Sequence, residues 1–282
     1  MGSGRSKNSS IVSNHIRTTE NRKRMNEPGP DRGTESFYKI DRVAAEYEAI
    51  RFESPGGRLV DALQKNAVLE GVDSLNLTGK KVLDVACGTG RFSRLLRPRG
   101  ARVIGLDLSR AMLNEARDRQ SADFYVEASA LQLPFKEGVF DVSLTVNAFN
   151  HLPAFEEAIN EICRVSKRVI LGLPHRNSLL LLAYVYRMLR GWGFRYTRHK
   201  ATRYKGTPLV YTLYFSTKEL QNIFKKNHFE VIGCPKCRIF PVPYVPGSLI
   251  KAVEILEKVA VRCFGRFGTF MAMVAERSRT GD

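Results

Sequence analysis

Lys81-Val82-Leu83-Asp84-Val85-Ala86-Cys87-Gly88-Thr89-Gly90 is a short apolar run, interrupted by one carboxylate, that opens into a glycine turn. A run of this length, rich in β-branched residues and bounded by glycine, predicts a buried strand over 81–86. A helix is expected to start over 91–96. The same alternation then continues down the chain. Strands are expected at 101–106, 124–127, 139–146 and 168–173, with helices from Ser109 through Arg119 and over 155–165. Further on, Ser216-Thr217-Lys218-Glu219 has the spacing of a capping box and predicts a helix to Lys226. A strand at 229–232, a helix at 248–262 and a strand at 270–275 complete the pattern. Strand–helix alternation of this kind predicts an α/β fold, with a seven-stranded, mostly parallel sheet and helices on both faces.

Upstream of the first strand the pattern changes twice. Residues 1–35 are polar, carry Pro28-Gly29-Pro30 and lack the apolar surface to fold, so they are read as a flexible tail. Met1-Gly2-Ser3-Gly4-Arg5-Ser6 fits a myristoylation pattern but is read as part of that tail or as an added leader. Residues 36–79 are read as helices covering the ligand site, with Ile40, Val43, Tyr47 and Ile50 at helical spacing and a break at Ser54-Pro55-Gly56-Gly57. The remainder, 80–282, is the main domain. Five scattered cysteines in a chain of 282 residues do not make a disulfide scaffold and point to a reducing, cytoplasmic setting. No apolar run reaches the roughly 18 residues of a membrane span, and no secretory signal is visible. The net charge of +17 favours an anionic partner, whether nucleic acid, acidic lipid or a small acid. Nothing sets an oligomeric state.

The glycine turn separates two kinds of ligand. Gly88 and Gly90 allow a close backbone approach, which suits a nucleotide of any type. A dinucleotide turn would carry a third glycine where Ser93 stands, and would gain nothing from the negative charge of Asp84. A carboxylate there suits a ligand bearing an amino group and a sulfonium. Asp107 ends the second strand 19 residues after Gly88, close to the spacing at which an acid reaches ribose hydroxyls. The expected ligand is therefore a nucleoside with an amino-acid tail.

The run 82–90 resembles motif I of the class I, Rossmann-like S-adenosylmethionine-dependent methyltransferases, and Val103 to Ser109 with Met112-Leu113 resembles motif II. Ala128-Ser129-Ala130 before Leu133-Pro134-Phe135, and Phe140-Asp141-Val142 through Asn150-His151-Leu152, resemble the third and fourth motifs. The likeness runs over 80–175, resumes at 214–232, and is nearest to the small-molecule enzymes of ubiquinone and menaquinone biosynthesis. It implies S-adenosylmethionine as methyl donor. Asp84, Ala86 and the Gly88–Gly90 backbone would hold the methionine end, Asp107 the ribose, and Leu108, Met112 and Ala130 the adenine. Ser129 stands where the family has an acid that accepts from the adenine amino group, and a hydroxyl accepts more weakly than a carboxylate.

Asn147-Ala148-Phe149-Asn150-His151 follows the fourth strand, at the edge where such sheets bind ligands. Asn147 is expected in the donor site. His151 is the candidate general base, weighed against a packing or capping role, and His175 is a weaker candidate. Cys234-Pro235-Lys236-Cys237 has no second pair, so no metal site is expected. The 57 positions between Glu161 and Glu219 hold 12 Lys or Arg and no acid. Residues 175–214 of this stretch are read as a basic, aromatic lid over the acceptor side. The expected acceptor is a small, lipophilic or aromatic molecule met near an acidic membrane surface, with Leu179–Tyr186 as a surface-lying segment. Methylation of RNA through the basic insertion, and a catalytically inactive cofactor-binding module, are the alternatives.

Overall fold

The computed structural model describes residues 41–73, 75–176, 213–237, 247–264 and 268–278. The tail 1–35 and most of the insertion, Leu179–Tyr186 included, lie outside the described residues. Two helices, α1 (Asp41–Phe52) and α2 (Pro55–Val72), precede the sheet. The break between them has a local cause: the Ser54 side chain accepts from the Gly57 N–H, and Pro55 starts the next helix where its missing N–H is harmless.

Strands β1 (Lys81–Val85), β2 (Arg102–Asp107), β3 (Phe124–Glu127), β4 (Val142–Val146) and β5 (Arg168–Pro174) alternate with α3 (Ser93–Leu96), α4 (Arg110–Asp118) and α5 (Phe155–Val165). Helix α6 (Thr217–Lys226), strands β6 (Phe229–Gly233) and β7 (Lys236–Cys237), helix α7 (Ile250–Phe264) and strand β8 (Phe270–Arg277) follow. The sheet order is β3-β2-β1-β4-β5-β8-β6, parallel except for β8, which runs antiparallel to both β5 and β6.

The sheet has eight strands where seven were expected. The extra one is the outer edge broken in two. Register shifts between Val231 and Gly233, Pro235 has no N–H to donate, and Lys236-Cys237 then pairs with Met271 and Phe270. Strand β4 also starts later than Val139, which is exposed, while Phe140 makes only an isolated bridge to Ser166.

Period-two alternation divides the core between the two faces. Leu83, Val85, Val169, Leu171, Met271 and Met273 pack with Ile159, Ile162, Leu220 and Phe224 of α5 and α6. Val82, Val142, Leu144, Ile170 and Val274 pack with Leu59, Leu63 and Val68 of α2. Fully burying each such side chain contributes ~1.5–3 kcal/mol, so the expected strand register is strongly held. Burial on both faces leaves the carboxyl ends of β1, β2 and β4 as the place where polar side chains gather.

Candidate functional site

A pocket opens at those ends. Asp84, Ala86, Gly88, Asp107, Leu108, Met112, Ser129, Ala130, Asn147 and His151 all line it. Gly90 does not. With φ +77 it turns toward the sheet's flank, and a Cβ there would lie 2.2 Å from Cβ of Ser121, so packing rather than ligand approach requires this glycine. Gly88, at φ +55, has nothing within 4 Å of a would-be Cβ, and its bare backbone faces the pocket.

Two wall residues hold strained backbone. Ala86 (φ 54) directly follows β1 and Asn147 (φ 55) directly follows β4, both in the left-handed region. That conformation costs ~1–2 kcal/mol for a residue such as alanine, and such strain gathers at sites whose surroundings over-determine it. Asn147 is held by its N–H donating to the Gly172 carbonyl at 2.8 Å.

Asp84 is buried in the wall. The Ser93 hydroxyl donates to its Oδ2 at 2.7 Å. Burial pushes the carboxyl up to about 7, and nearby Asp107 adds to this against the Ser93 hydrogen bonds and Arg91. Asp107 is half-buried and ties the site together: Oδ2 accepts from the Gly88 N–H and Oδ1 from the Ser109 N–H, both at 2.8 Å. Burial raises its pKa too, against those backbone donors. Ser109 in turn caps α4 by accepting from the Met112 N–H, which sets Leu108 and Met112 on the wall. Burial, reinforced by Asp84 and Asp107, keeps the Cys87 thiol well above its ordinary range. Ser129 accepts from the Leu131 N–H at 3.2 Å.

Several wall residues carry no signal in the sequence. Arg91 is buried between the rings of Phe52 and Phe92, 4.3 Å from each centroid, and pairs with Asp61 and Gln64 of α2. Tyr47 comes from α1, whose Glu48 accepts two hydrogen bonds from Arg94 and one from Thr89. Burial alone would raise the Glu48 carboxyl, but those donors hold it below its usual range. These partners lie 27 to 46 residues apart, and spacing along a chain does not disclose them.

His151 ends the turn Phe149–His151, with Nε2 3.1 Å from Nδ2 of the buried Asn150. His175 does not line the pocket: it directly follows β5, with Nδ1 3.0 Å from the Gly268 carbonyl. Burial and nearby Lys236 lower its pKa. Cys237 is buried in β7 and Cys234 is half-buried before it. Among the described residues no three His, Cys, Asp or Glu side chains group as metal ligands.

Residues 83–169 match a family profile described as "Methyltransferase domain". The malonyl-[acyl-carrier protein] O-methyltransferase of Salmonella typhimurium is 33% identical over 172 residues, 50% of this chain and 68% of that one. The demethylmenaquinone methyltransferase of Thermus thermophilus is 35% identical over 111 residues, 36% of this chain and 50% of that one. Other malonyl-[acyl-carrier protein] O-methyltransferases match over only about a third of their own length. Magnesium protoporphyrin IX methyltransferase from Synechocystis, solved with bound S-adenosylhomocysteine, has the same fold at 17% identity. Its TM-score is 0.59, over 86% of this chain and 97% of that one. Profile, relatives and sheet order agree: the chain belongs to the class I, Rossmann-like S-adenosylmethionine-dependent methyltransferases.

Proposed function

We propose that this chain transfers a methyl group from S-adenosylmethionine to a small, lipophilic or aromatic acceptor. The observation that carries this reading is the pairing of Asp84 and Asp107 at adjacent strand ends, on either side of a glycine turn whose backbone faces the pocket. A buried carboxylate whose hydrogen-bond donors, the Ser93 hydroxyl and backbone N–H, are neutral is short of a paired cation, and an α-amino group supplies one. The fit to the donor is therefore chemical: Asp84 and the Gly88 backbone for its amino-acid end, and Asp107, with lone pairs left on both oxygens, for the ribose. Leu108, Met112 and Ala130 would pack on the base, with Ser129 accepting from its amino group.

Bound S-adenosylmethionine supplies an electrophilic methyl on a positively charged sulfur. The chain positions that donor, excludes water beneath the α1–α2 cover over 36–79, and offers His151 to take the acceptor's proton where there is one. Asp84, the Gly88 backbone and Asp107 would hold the donor while its methyl is given up to the acceptor, the demethylated donor leaving as product. Of the relatives, the demethylmenaquinone methyltransferase supports a small, lipophilic acceptor, whereas the malonyl-[acyl-carrier protein] O-methyltransferase is named for an acyl group borne by a carrier protein. The basic insertion over 175–214 supports one met near an acidic membrane surface.

Calorimetry with S-adenosylmethionine and its demethylated product tests the donor half, and binding of neither would refute it. His151→Ala is expected to lower kcat about 10²–10⁴-fold with donor affinity unchanged. An unchanged kcat would remove His151 from the chemistry.

A further inference from the structure

Helix α7 turns outward the side chains that a helix beside water keeps in. Ile255, Leu256 and Val259 are 65%, 54% and 56% exposed, and Leu249 in the preceding turn is 54% exposed, while Glu257 on the opposite side is buried. At 3.6 residues per turn, Leu249, Ala252, Leu256, Val259 and Cys263 fall on one stripe, with Ile255 along its border. All of them are exposed. Exposed Lys251, Lys258 and Arg262 line the same border. Lys258 reaches Glu254 at 3.0 Å, its side chain still 68% exposed; the stripe itself holds no acid, and Glu254 is the one acid beside the cation row among the described residues.

We propose that this face of α7 docks on an anionic lipid bilayer, the apolar stripe entering the headgroup region and the cations meeting lipid phosphates. An amphipathic helix with cations beside an exposed apolar stripe has the character of an interfacial, non-spanning helix, and the chain's net charge of +17 favours approach to the same surface. No described helix is long and apolar enough to cross a membrane. The proposal rests on the reading of a lipophilic acceptor met at a membrane and assigns the contact to α7. The placement suits that role. Gly247, just before α7, sits against Pro55, three residues after the Phe52 whose ring stacks on Arg91 of the pocket wall.

A second copy of the chain suits the stripe less well. Two α7 helices laid antiparallel about a two-fold axis would set each row of cations beside its own image, and a parallel pair would offer either row only Glu254, which already pairs with Lys258.

The test is co-sedimentation of the full chain with vesicles of phosphatidylcholine containing about a third phosphatidylserine, against phosphatidylcholine alone. Binding to the anionic vesicles, weakened by salt, is expected. Leu256→Asp with Val259→Asp, and separately Lys251→Glu with Arg262→Glu, should each lower it at least about tenfold. Neither pair touches the donor pocket, so S-adenosylmethionine affinity, read by calorimetry, stays unchanged. Loss of donor binding in the unmodified protein would strike the enzymatic reading and leave the docking result standing. Wild-type protein that ignores anionic vesicles would overturn the proposal, as would variants that bind them as well as wild type. Two further outcomes would overturn it by giving the stripe another occupant. One is a dimer lost in the Leu256/Val259 variant, which assigns the stripe to a second copy. The other is a fall of several degrees in that variant's Tm, which assigns it to the chain's own packing.

Discussion

Replacing Asp84 with asparagine should make the ligand-free protein more stable at alkaline pH while removing its hold on the donor. In the fold the Asp84 carboxyl ionises at about 7, raised by burial from an ordinary value of 3.8. Its acid form is therefore favoured by folding. The stability this contributes is complete below pH 3.8 and is lost as pH rises through about 7. At ~1.4 kcal/mol per tenfold, the whole loss is ~4 kcal/mol, of which on the order of 2–3 kcal/mol falls between pH 5 and pH 8. Asparagine has nothing to ionise, keeps the shape, and can donate to the Ser93 oxygen that now donates to Asp84.

The assay is Tm by calorimetry for both proteins across pH 5 to 8. Titrations that do not depend on the Asp84 charge are shared and cancel in the difference between them; loss of that charge eases the ionisation of neighbouring Asp107 and so adds to the variant's alkaline advantage. For a domain of this size ~1 kcal/mol moves Tm by roughly 2–4 °C, so the advantage of Asp84→Asn should grow by about 5–10 °C from the acid to the alkaline end. Donor affinity gives the converse result. In the wild type it should weaken about tenfold per pH unit below about 7, because the proton competes with the donor's cationic end. In the variant it should be weak throughout. A Tm difference that stays constant with pH would refute the argument, because it would mean that Asp84 ionises normally in the fold.

Three other substitutions separate positions that the sequence places side by side. Gly90→Ala should cost about 3 kcal/mol or more in urea unfolding, from the left-handed φ and the overlap with Ser121, and adding Ser121→Gly should recover part of it. Asp107→Ala should abolish donor binding in calorimetry and also lower stability by about 2–4 kcal/mol, since the Gly88 and Ser109 N–H groups both lose their acceptor; retained affinity would mean the ribose is elsewhere. Ser129→Asp restores a carboxylate acceptor for the adenine amino group and should tighten donor Kd about tenfold, an unchanged Kd showing that the base does not reach this position.

What could be read from the sequence was whatever is carried by local spacing. Phe155–Val165 is an apolar pattern of unambiguous helical period and Phe124–Glu127 a short run of strand-favouring residues, and both elements have the expected bounds. Ser216 and Glu219 form the reciprocal capping box their spacing implies. The site could be read for the same reason, because strand ends bring Asp84, Asp107 and Asn147 together with no contribution from distant loops. Gly90 packs against Ser121 off the pocket wall, which spacing does not disclose, because a glycine required by packing and one required by a ligand look alike in a chain. Strand β7 was missed because two residues after a proline have no periodicity to detect. Arg91 and Glu48 escaped notice because their pairings join α1 and α2 to the glycine turn through side chains.

The two halves of the pocket are built differently, and that difference bears on how such an enzyme acquires an acceptor. The donor half is over-determined. Asp107 bridges the end of β2 to the glycine turn, and Ala86 and Asn147 hold backbone conformations that need a rigid surround. On the proposed reading the acceptor half would depend on the insertion over 175–214, whose two described ends are pinned to each other. Phe215 donates its N–H to the Pro174 carbonyl at 3.0 Å and accepts from the Arg176 N–H at 2.8 Å, so the chain leaves and rejoins the domain at one point. Closing a loop across fixed ends costs only ~0.6 kcal/mol for each doubling of its length, so the insertion can change in size and content at little expense to the fold. At its return, the Leu213 N–H donates to the Asn150 carbonyl at 2.7 Å, in the same turn that carries His151. On that reading a change in the insertion would reach the turn that carries His151 first. The donor site, braced by β1, β2 and β4, keeps its geometry while the acceptor varies.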